Sequence, residues 1–208
     1  MPHNGGVRTR RVGERGLLVE CDDGPGAAAA YAALRAVADR VRAVDIVPAA
    51  RTVLLDGLDD VGAVEALVRD LEPGPTALSA PPGPLVEIPV VYDGPDLAEV
   101  AGQWAVDVGE VVRIHQQTEF VVAFCGFAPG FGYCTGLPAD RQVRRRSEPR
   151  ARVPAGAVGL AGPYTCVYPT ASPGGWQLIG TTTTPVWRPE LDTPALLAPG
   201  TRVRFVRA

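Results

Sequence analysis

An α+β protein of two units is the fold class that three features of the sequence predict. Up to Leu71 the chain alternates strand-like and helical patterns in the order ββαββα, the order of a small ferredoxin-like α/β sandwich with two helices on one face of an antiparallel sheet. A proline-dense stretch without an apolar period, Glu72 to Leu85, then separates this unit from the remainder of the chain. From Phe120 to the end, short apolar segments are punctuated by glycine and proline, as in a barrel or sandwich. The expected domains are residues 1–80 and 85–208.

Each element has a local reason. Val7 to Cys21 alternates around Gly13-Glu14-Arg15-Gly16, which reads as two strands and a turn. After Pro25-Gly26, Ala27, Tyr31, Leu34, Val37, Ala38 and Val41 recur at helical spacing, predicting one helix to about Arg42. Val44–Val47 and Thr52–Leu55 read as strands. Asp59-Asp60 can cap a second helix with Val61, Val64, Leu67, Val68 and Leu71 on one face. Beyond the linker, Leu85–Val91 is a strand closed by the Tyr92-Asp93-Gly94 turn. Pro95–Ala101 and Val108–Gln116 read as short helices, the second with Asp107 as N-cap and Glu110 at capping-box spacing. Thr201–Arg207 alternates like a closing strand.

Composition excludes several chemistries. All 20 basic residues are arginine, so a P-loop lysine, a pyridoxal Schiff-base lysine and a biotinylated lysine are ruled out. A net charge of −3 argues against nucleic acid as a partner. No window approaches the roughly 18 uncharged apolar residues of a membrane span, and MPHNGGVRTRRVG has no apolar core to act as a secretory signal, so no membrane is expected and the expected location is cytoplasmic. Cys21, Cys125, Cys134 and Cys166 form no CxxC pair and only two histidines exist, so no metal site is expected.

The stretch from Phe124 to Gly180 is where a site is expected. Of its 57 residues 17 are glycine or proline, yet seven aromatics are threaded among them, too many for a disordered tract. Such a segment brings backbone close to a ligand and holds it there. His115, the one internal histidine, suits a general base or phosphate partner, or else a helix C-terminal cap. Arg141, Arg144, Arg145, Arg146, Arg150 and Arg152 lie within twelve residues and suit carboxylate or phosphate oxygens, or else form a solvated edge. Arg152 is preferred because it opens the turn-bound Arg152-Val153-Pro154-Ala155-Gly156. Ser172 fails the nucleophile-elbow pattern; Ser172, Gly174 and Gly175 can form an anion-binding nest, or a plain hairpin turn. Gly126 to Phe131 can aim backbone N–H groups at a ligand, or be an aromatic-plugged turn.

Three segments, GFAPGFGYCTGL (126–137), RVPAGAVGLAG (152–162) and VYPTASPGGWQLIG (167–180), resemble the family that includes the PxpB component of bacterial 5-oxoprolinase, the KipI-type sporulation-kinase inhibitor and proteins labelled allophanate hydrolase subunit 1. The resemblance extends back through IPVVYDGPDLAEVA (88–101) and forward to LLAPGTRVRFV (196–206). It implies a cyclophilin-like β-barrel of the carboxyltransferase C/D type after the small N-terminal domain. It also implies a subunit of an ATP-dependent 5-oxoprolinase, active only with a paired KipA/PxpC-type subunit and a PxpA-type subunit, with ATP bound at the partner. Alternatives within the family are inhibition of a sensor histidine kinase and a half-site of a urea carboxylase-type carboxyltransferase. The resemblance assigns His115 and Arg152 to catalysis and Phe127, Pro129, Gly130, Pro154, Gly156, Tyr168, Ser172, Gly174, Gly175 and Gln177 to substrate binding, with Pro173 and Trp176 in the same motifs. The chain departs from relatives at Tyr164, Cys166 and Thr181, where an amide and a cation are usual.

Overall fold

A computed structural model describes residues 7–71 and 83–208. The chain divides into two compact units, Met1–Pro81 and Pro82–Ala208. The proline-dense segment expected between them lies, apart from residues 83–85, outside the described residues.

In the first unit β1 (Arg8–Val12) and β2 (Gly16–Glu20) form a hairpin around the expected glycine turn, and β3 (Asp45–Pro48) and β4 (Thr52–Asp56) form a second. The antiparallel order is β1-β2-β4-β3. This is the ferredoxin-like arrangement entered one strand early, so ββαββα and βαββαβ describe one sandwich. Helices α1 (Gly24–Ala36) and α3 (Val61–Asp70) bury Ala27, Ala30, Leu34, Val64 and Val68 against Leu17, Val19, Val53 and Leu55. Asp60 caps α3 as expected, its carboxylate accepting from the Ala63 amide at 2.9 Å. The single helix expected through Arg42 is instead broken at Val37. A short α2 (Ala38–Val41) follows, ending at Arg42 in the left-handed region, and the break turns Val41 into the core.

The second unit is built on seven strands: β5 (Leu85–Val90), β6 (Phe120–Cys125), β7 (Gly132–Thr135), β9 (Ala157–Ala161), β10 (Tyr164–Val167), β12 (Gln177–Thr181) and β13 (Arg202–Arg207). Their order is β12-β9-β10-β7-β6-β13-β5. Of these strands only β13 and β5 run parallel. Val91 and Thr181 exchange two backbone hydrogen bonds of 2.8 Å, which join the two edge strands and nearly close the sheet into a barrel. The expected barrel is therefore present, and closure leaves little free edge. Helices α4 (Leu97–Trp104) and α5 (Val108–Gln117) add Val100, Trp104 and Val111 to an interior of Ile88, Val122, Val158, Leu160, Ile179 and Phe205. Asp107 caps α5 as expected, but the reciprocal half of the capping box is not made, because Glu110 pairs with Arg113 instead. A two-stranded ribbon of β8 (Arg150–Val153) and β11 (Ser172–Gly174) lies apart from the barrel sheet.

Candidate functional site

Strand alternation sorts the barrel into two apolar layers. Val158, Leu160 and Val167 point inward, while Ala157, Ala161, Cys166, Tyr168 and Leu178 point outward and form a second cluster with Phe131, Val153 and Trp176. A bulge in β6 between Val122 and Phe124 takes Phe124 out of the interior layer. Its ring stacks on Tyr133 at 4.4 Å between centroids. Tyr133 in turn meets Tyr164 and Trp176 edge-on, each at 5.6 Å. The small residues of β9 make room for these rings: a Cβ on Gly159 would stand 3.2 Å from the Trp176 Cβ. The result is a second, largely buried aromatic cluster outside the barrel, with Tyr133 and Tyr164 partly exposed at its margin.

The loop after β6 is pinned to this cluster. Gly126 donates to Phe131 O and Phe131 to Ala128 O. Gly130 sits at φ 80°, where a Cβ would be 2.7 Å from that of Trp187. Phe127 holds φ 69° without being glycine and is 64% exposed, so the loop stores strain at a displayed ring. Pro129 is exposed beside it. Of the two readings of this loop, the aromatic-plugged turn describes it better.

His115 is placed away from the outer face. It is fully buried, with Nδ1 2.9 Å from Tyr92 Oη and Nε2 2.9 Å from Thr165 Oγ1, and its ring packs on Phe120 and Phe205. Burial pushes its pKa down to about 3, so it stays neutral. With both nitrogens occupied inside a sealed core, the general-base role expected for His115 is not one it can perform from this position. Its work is to join α5, β10 and the segment after β5.

The remaining expected residues cluster around the outer layer, with roles that the structure alters. Gly156, at φ 78°, has both backbone groups engaged: its amide donates to Tyr168 O, and its carbonyl accepts from Thr182, each at 2.8 Å. It is a structural turn, and exposed Pro154 leads into it. Tyr168 is buried against Phe131, and any Cβ on Gly174 would strike its hydroxyl at 2.3 Å. Ser172 and Gly174 pair with Val153 and Arg150 as a strand, so the segment is not the open nest that was expected. Ser172 Oγ is nevertheless buried without a partner among the described residues. Gly175 O accepts from the Arg146 amide at 2.8 Å. Gln177 is buried and donates through Nε2 to Arg144 O at 3.1 Å. Arg152 is exposed on β8, with no hydrogen bond or ion pair among the described residues.

Sequence reasoning did not single out the residues that organise the arginines. Asp96, 4% exposed, accepts from Arg150 Nη2 at 2.8 Å, from Arg146 Nη1 at 3.1 Å and from the Leu178 amide at 2.7 Å. Burial alone would push its carboxyl up; the Arg150 hydrogen bond, the Leu178 amide and the two positive charges together hold it below its ordinary value. Because its carboxylate is used this way, it does not cap α4. The segment Gln142–Arg146 is tied at Val143, Arg144 and Arg146. Val143 exchanges two bonds with Gly162, the Arg144 amide donates to Gln103 Oε1 at 2.8 Å, and Gln177 holds the Arg144 carbonyl. Arg145 is thereby set over Trp176, its guanidinium carbon 6.0 Å from the ring centroid. An open hollow of about 320 Å³ is lined by Gln142, Val143, Arg144, Arg145 and Gly162. Burial raises the phenols of Tyr133 and Tyr164, which therefore remain O–H donors at neutral pH. The signal in the sequence was the arginine run itself; what singles out Arg145 is a ring 31 residues further on.

Among the described residues no group of three or more His, Cys, Asp or Glu side chains gathers as a metal site, and no helix is long and apolar enough to cross a membrane.

Fold and site thus define a two-unit α+β protein in which a barrel carries an arginine-rimmed aromatic cluster on its outer side. Residues 7–197 match the family model for the carboxyltransferase domain, subdomain C and D, and the chain belongs to that family. It is 52% identical over 129 residues to the B-type component of 5-oxoprolinase from Escherichia coli O157:H7, covering 61% of this chain and 59% of that protein. It is 48% identical over 126 residues to the corresponding 5-oxoprolinase component of Bacillus subtilis (strain 168), covering 59% of this chain and 52% of that one. The matches thus span little more than half the length of these relatives. Among solved structures, TTHA0988 is 36% identical with a TM-score of 0.75, across 93% of this chain and 40% of that one. Kluyveromyces lactis urea carboxylase, 20% identical with a TM-score of 0.71 across all of this chain and 22% of that one, shares the fold.

Proposed function

We propose that the chain is one subunit of a 5-oxoprolinase-type complex that couples ATP hydrolysis to opening of 5-oxo-L-proline, giving L-glutamate, ADP and phosphate. The observation that carries this reading is the 52% identity to a relative named as the B-type component of 5-oxoprolinase. The geometry agrees with it, since the substrate is a small anion and Arg144, Arg145 and Arg152 are exposed with no carboxylate partner among the described residues.

Opening an unstrained lactam is uphill for the free amide, and phosphorylation makes its oxygen a leaving group. The lactam oxygen attacks the γ-phosphorus of ATP and ADP departs. Water then adds to the ring carbon and the C–N bond breaks as nitrogen takes a proton, giving an acyl phosphate. A second water attacks that carbonyl carbon and phosphate leaves with the former lactam oxygen, so that both oxygens of the new carboxylate come from water. In this scheme the exposed Arg152 holds anionic oxygens as charge builds on them. Tyr168, Gly130, Gly156 and Gly174 keep the surrounding loops rigid. ATP is held with the partner, a paired KipA/PxpC-type chain, and a PxpA-type chain completes the set. With His115 sealed in the core, proton transfer falls to partner residues, so the chain alone is inactive.

Co-expression with its genomic neighbours, followed by measurement of ATP-dependent glutamate and phosphate release from 5-oxoproline, tests the reading. Stoichiometric formation of both is expected. A complete, folded set of subunits that leaves 5-oxoproline untouched overturns it, and tight binding of the chain to a sensor kinase in the same experiment would point to the regulatory alternative.

A further inference from the structure

We propose that the open hollow lined by Gln142, Val143, Arg144, Arg145 and Gly162 is a carboxylate-binding subsite for a small acid, with Arg145 as its anchoring cation. Four observations converge on it.

The first is charge. Arg141 pairs with Asp140, and Arg146 and Arg150 share Asp96, whereas Arg144 and Arg145 have no carboxylate partner among the described residues. In a protein of net charge −3 this is a local cationic excess with nothing to balance it. The second is orientation. The Arg145 guanidinium carbon stands 6.0 Å from the Trp176 ring centroid, and none of its N–H groups has a hydrogen-bond partner among the described residues, which leaves the fork free to grip a carboxylate in bidentate fashion. The third is preorganisation. The backbone around Arg145 is fixed by bonds to Gly162, Gln103, Gln177 and Gly175, so little ordering remains when a ligand arrives. The fourth is size and lining. About 320 Å³, lined by Gln142, Val143, Arg144, Arg145 and Gly162, lies at the small end of the roughly 300–1,000 Å³ of ligand clefts. That the acid is the ring acid 5-oxoproline rests on the proposed function; that it is a carboxylate follows from the free guanidinium fork in the hollow.

The test uses the full chain labelled with ¹⁵N, following the Trp176 indole N–H during titration with 5-oxo-L-proline, its uncharged carboxamide and inorganic phosphate. The acid is expected to shift that resonance saturably, the carboxamide to bind at least about tenfold more weakly, and Arg145→Ala to weaken the acid by about tenfold or more. Arg145→Lys, which keeps the charge and loses the fork, should fall between. Arg145 is exposed, so these variants should melt with the wild type. Equal affinity in Arg145→Ala and wild type, no response at Trp176, or phosphate bound in preference to the acid would each overturn the proposal. If the assembled complex turns over 5-oxoproline and Arg145→Ala leaves KM unchanged, the subsite is wrong and the functional reading stands. If other ring carboxylates bind through Arg145 while the complex ignores 5-oxoproline, the subsite stands and the functional reading falls.

Discussion

Replacing Asp96 by Asn tests whether one buried carboxylate organises the arginine-rich side of the barrel. Asn is nearly isosteric, so packing is preserved and the loss is electrostatic. The carboxylate accepts from two guanidinium groups and one backbone amide within 3.1 Å. Asn keeps one acceptor, turns an N–H₂ toward the other donors, and removes the one carboxylate that, among the described residues, pairs with Arg146 and Arg150, whose side chains are 35% and 22% exposed. Breaking a buried pair by removing one partner costs about 3–5 kcal/mol. For a unit of this size that corresponds to a melting-point drop of about 10–20 °C. The pH dependence supplies an independent readout. The Asp96 carboxyl lies lower in the folded protein than in the unfolded chain, so the unfolded chain binds the proton first. The stabilisation is thus complete above the ordinary carboxylate range and is lost as pH falls through the folded value. Thermal unfolding of wild type and Asp96→Asn by calorimetry, between neutral pH and the acid limb, measures both effects. A loss below about 1 kcal/mol, or an acid limb of unchanged slope in the variant, would refute the reasoning.

Three further outcomes are expected. His115 should show no imidazole titration by NMR between pH 5 and 8; because its pKa falls to about 3 in the fold, it makes stability decline as pH drops below the unfolded value of about 6.5. His115→Ala orphans the Tyr92 hydroxyl, leaves Thr165 only its bond to Gly159 O and opens a cavity, costing about 3–5 kcal/mol in denaturant unfolding. Gly156→Ala, with its Cβ 2.2 Å from Thr182 O at φ 78°, should lose at least about 1–3 kcal/mol of stability and, by shifting β8, reduce the turnover of the assembled complex. Arg152→Ala should unfold within about 0.5 kcal/mol of wild type, since its side chain is exposed and unpaired, yet abolish glutamate formation by the complex.

Much of the fold was legible because it is written in short-range chemistry. Alternation placed the four strands of the first unit and the first and last strands of the second, Asp60 and Asp107 marked their helix starts through bonds to amides three residues on, and a glycine-bearing turn marked the first hairpin. The motifs from Gly126 to Gly180 also carried family membership, because close-packed turns tolerate few substitutions. The break at Val37 was not legible, since nothing local forbids a continuous helix there; the core's demand for Val41 decides it.

The site divides in the same way. By itself the sequence determined that aromatics, glycines and arginines are concentrated between Phe124 and Gly180, and that lysine chemistry was absent. Only the tertiary structure decided which of them face solvent and in what ionisation state. His115 is silenced by Thr165, fifty residues away, and by the rings around it; Asp96 is paired through Leu178, 82 residues away; and a single bulge in β6 moves Phe124 from one layer to the other. The physical reason is that propensity and periodicity act between neighbours along the chain. Burial, partner charge and bulge-set strand register depend instead on contacts made only once distant segments meet.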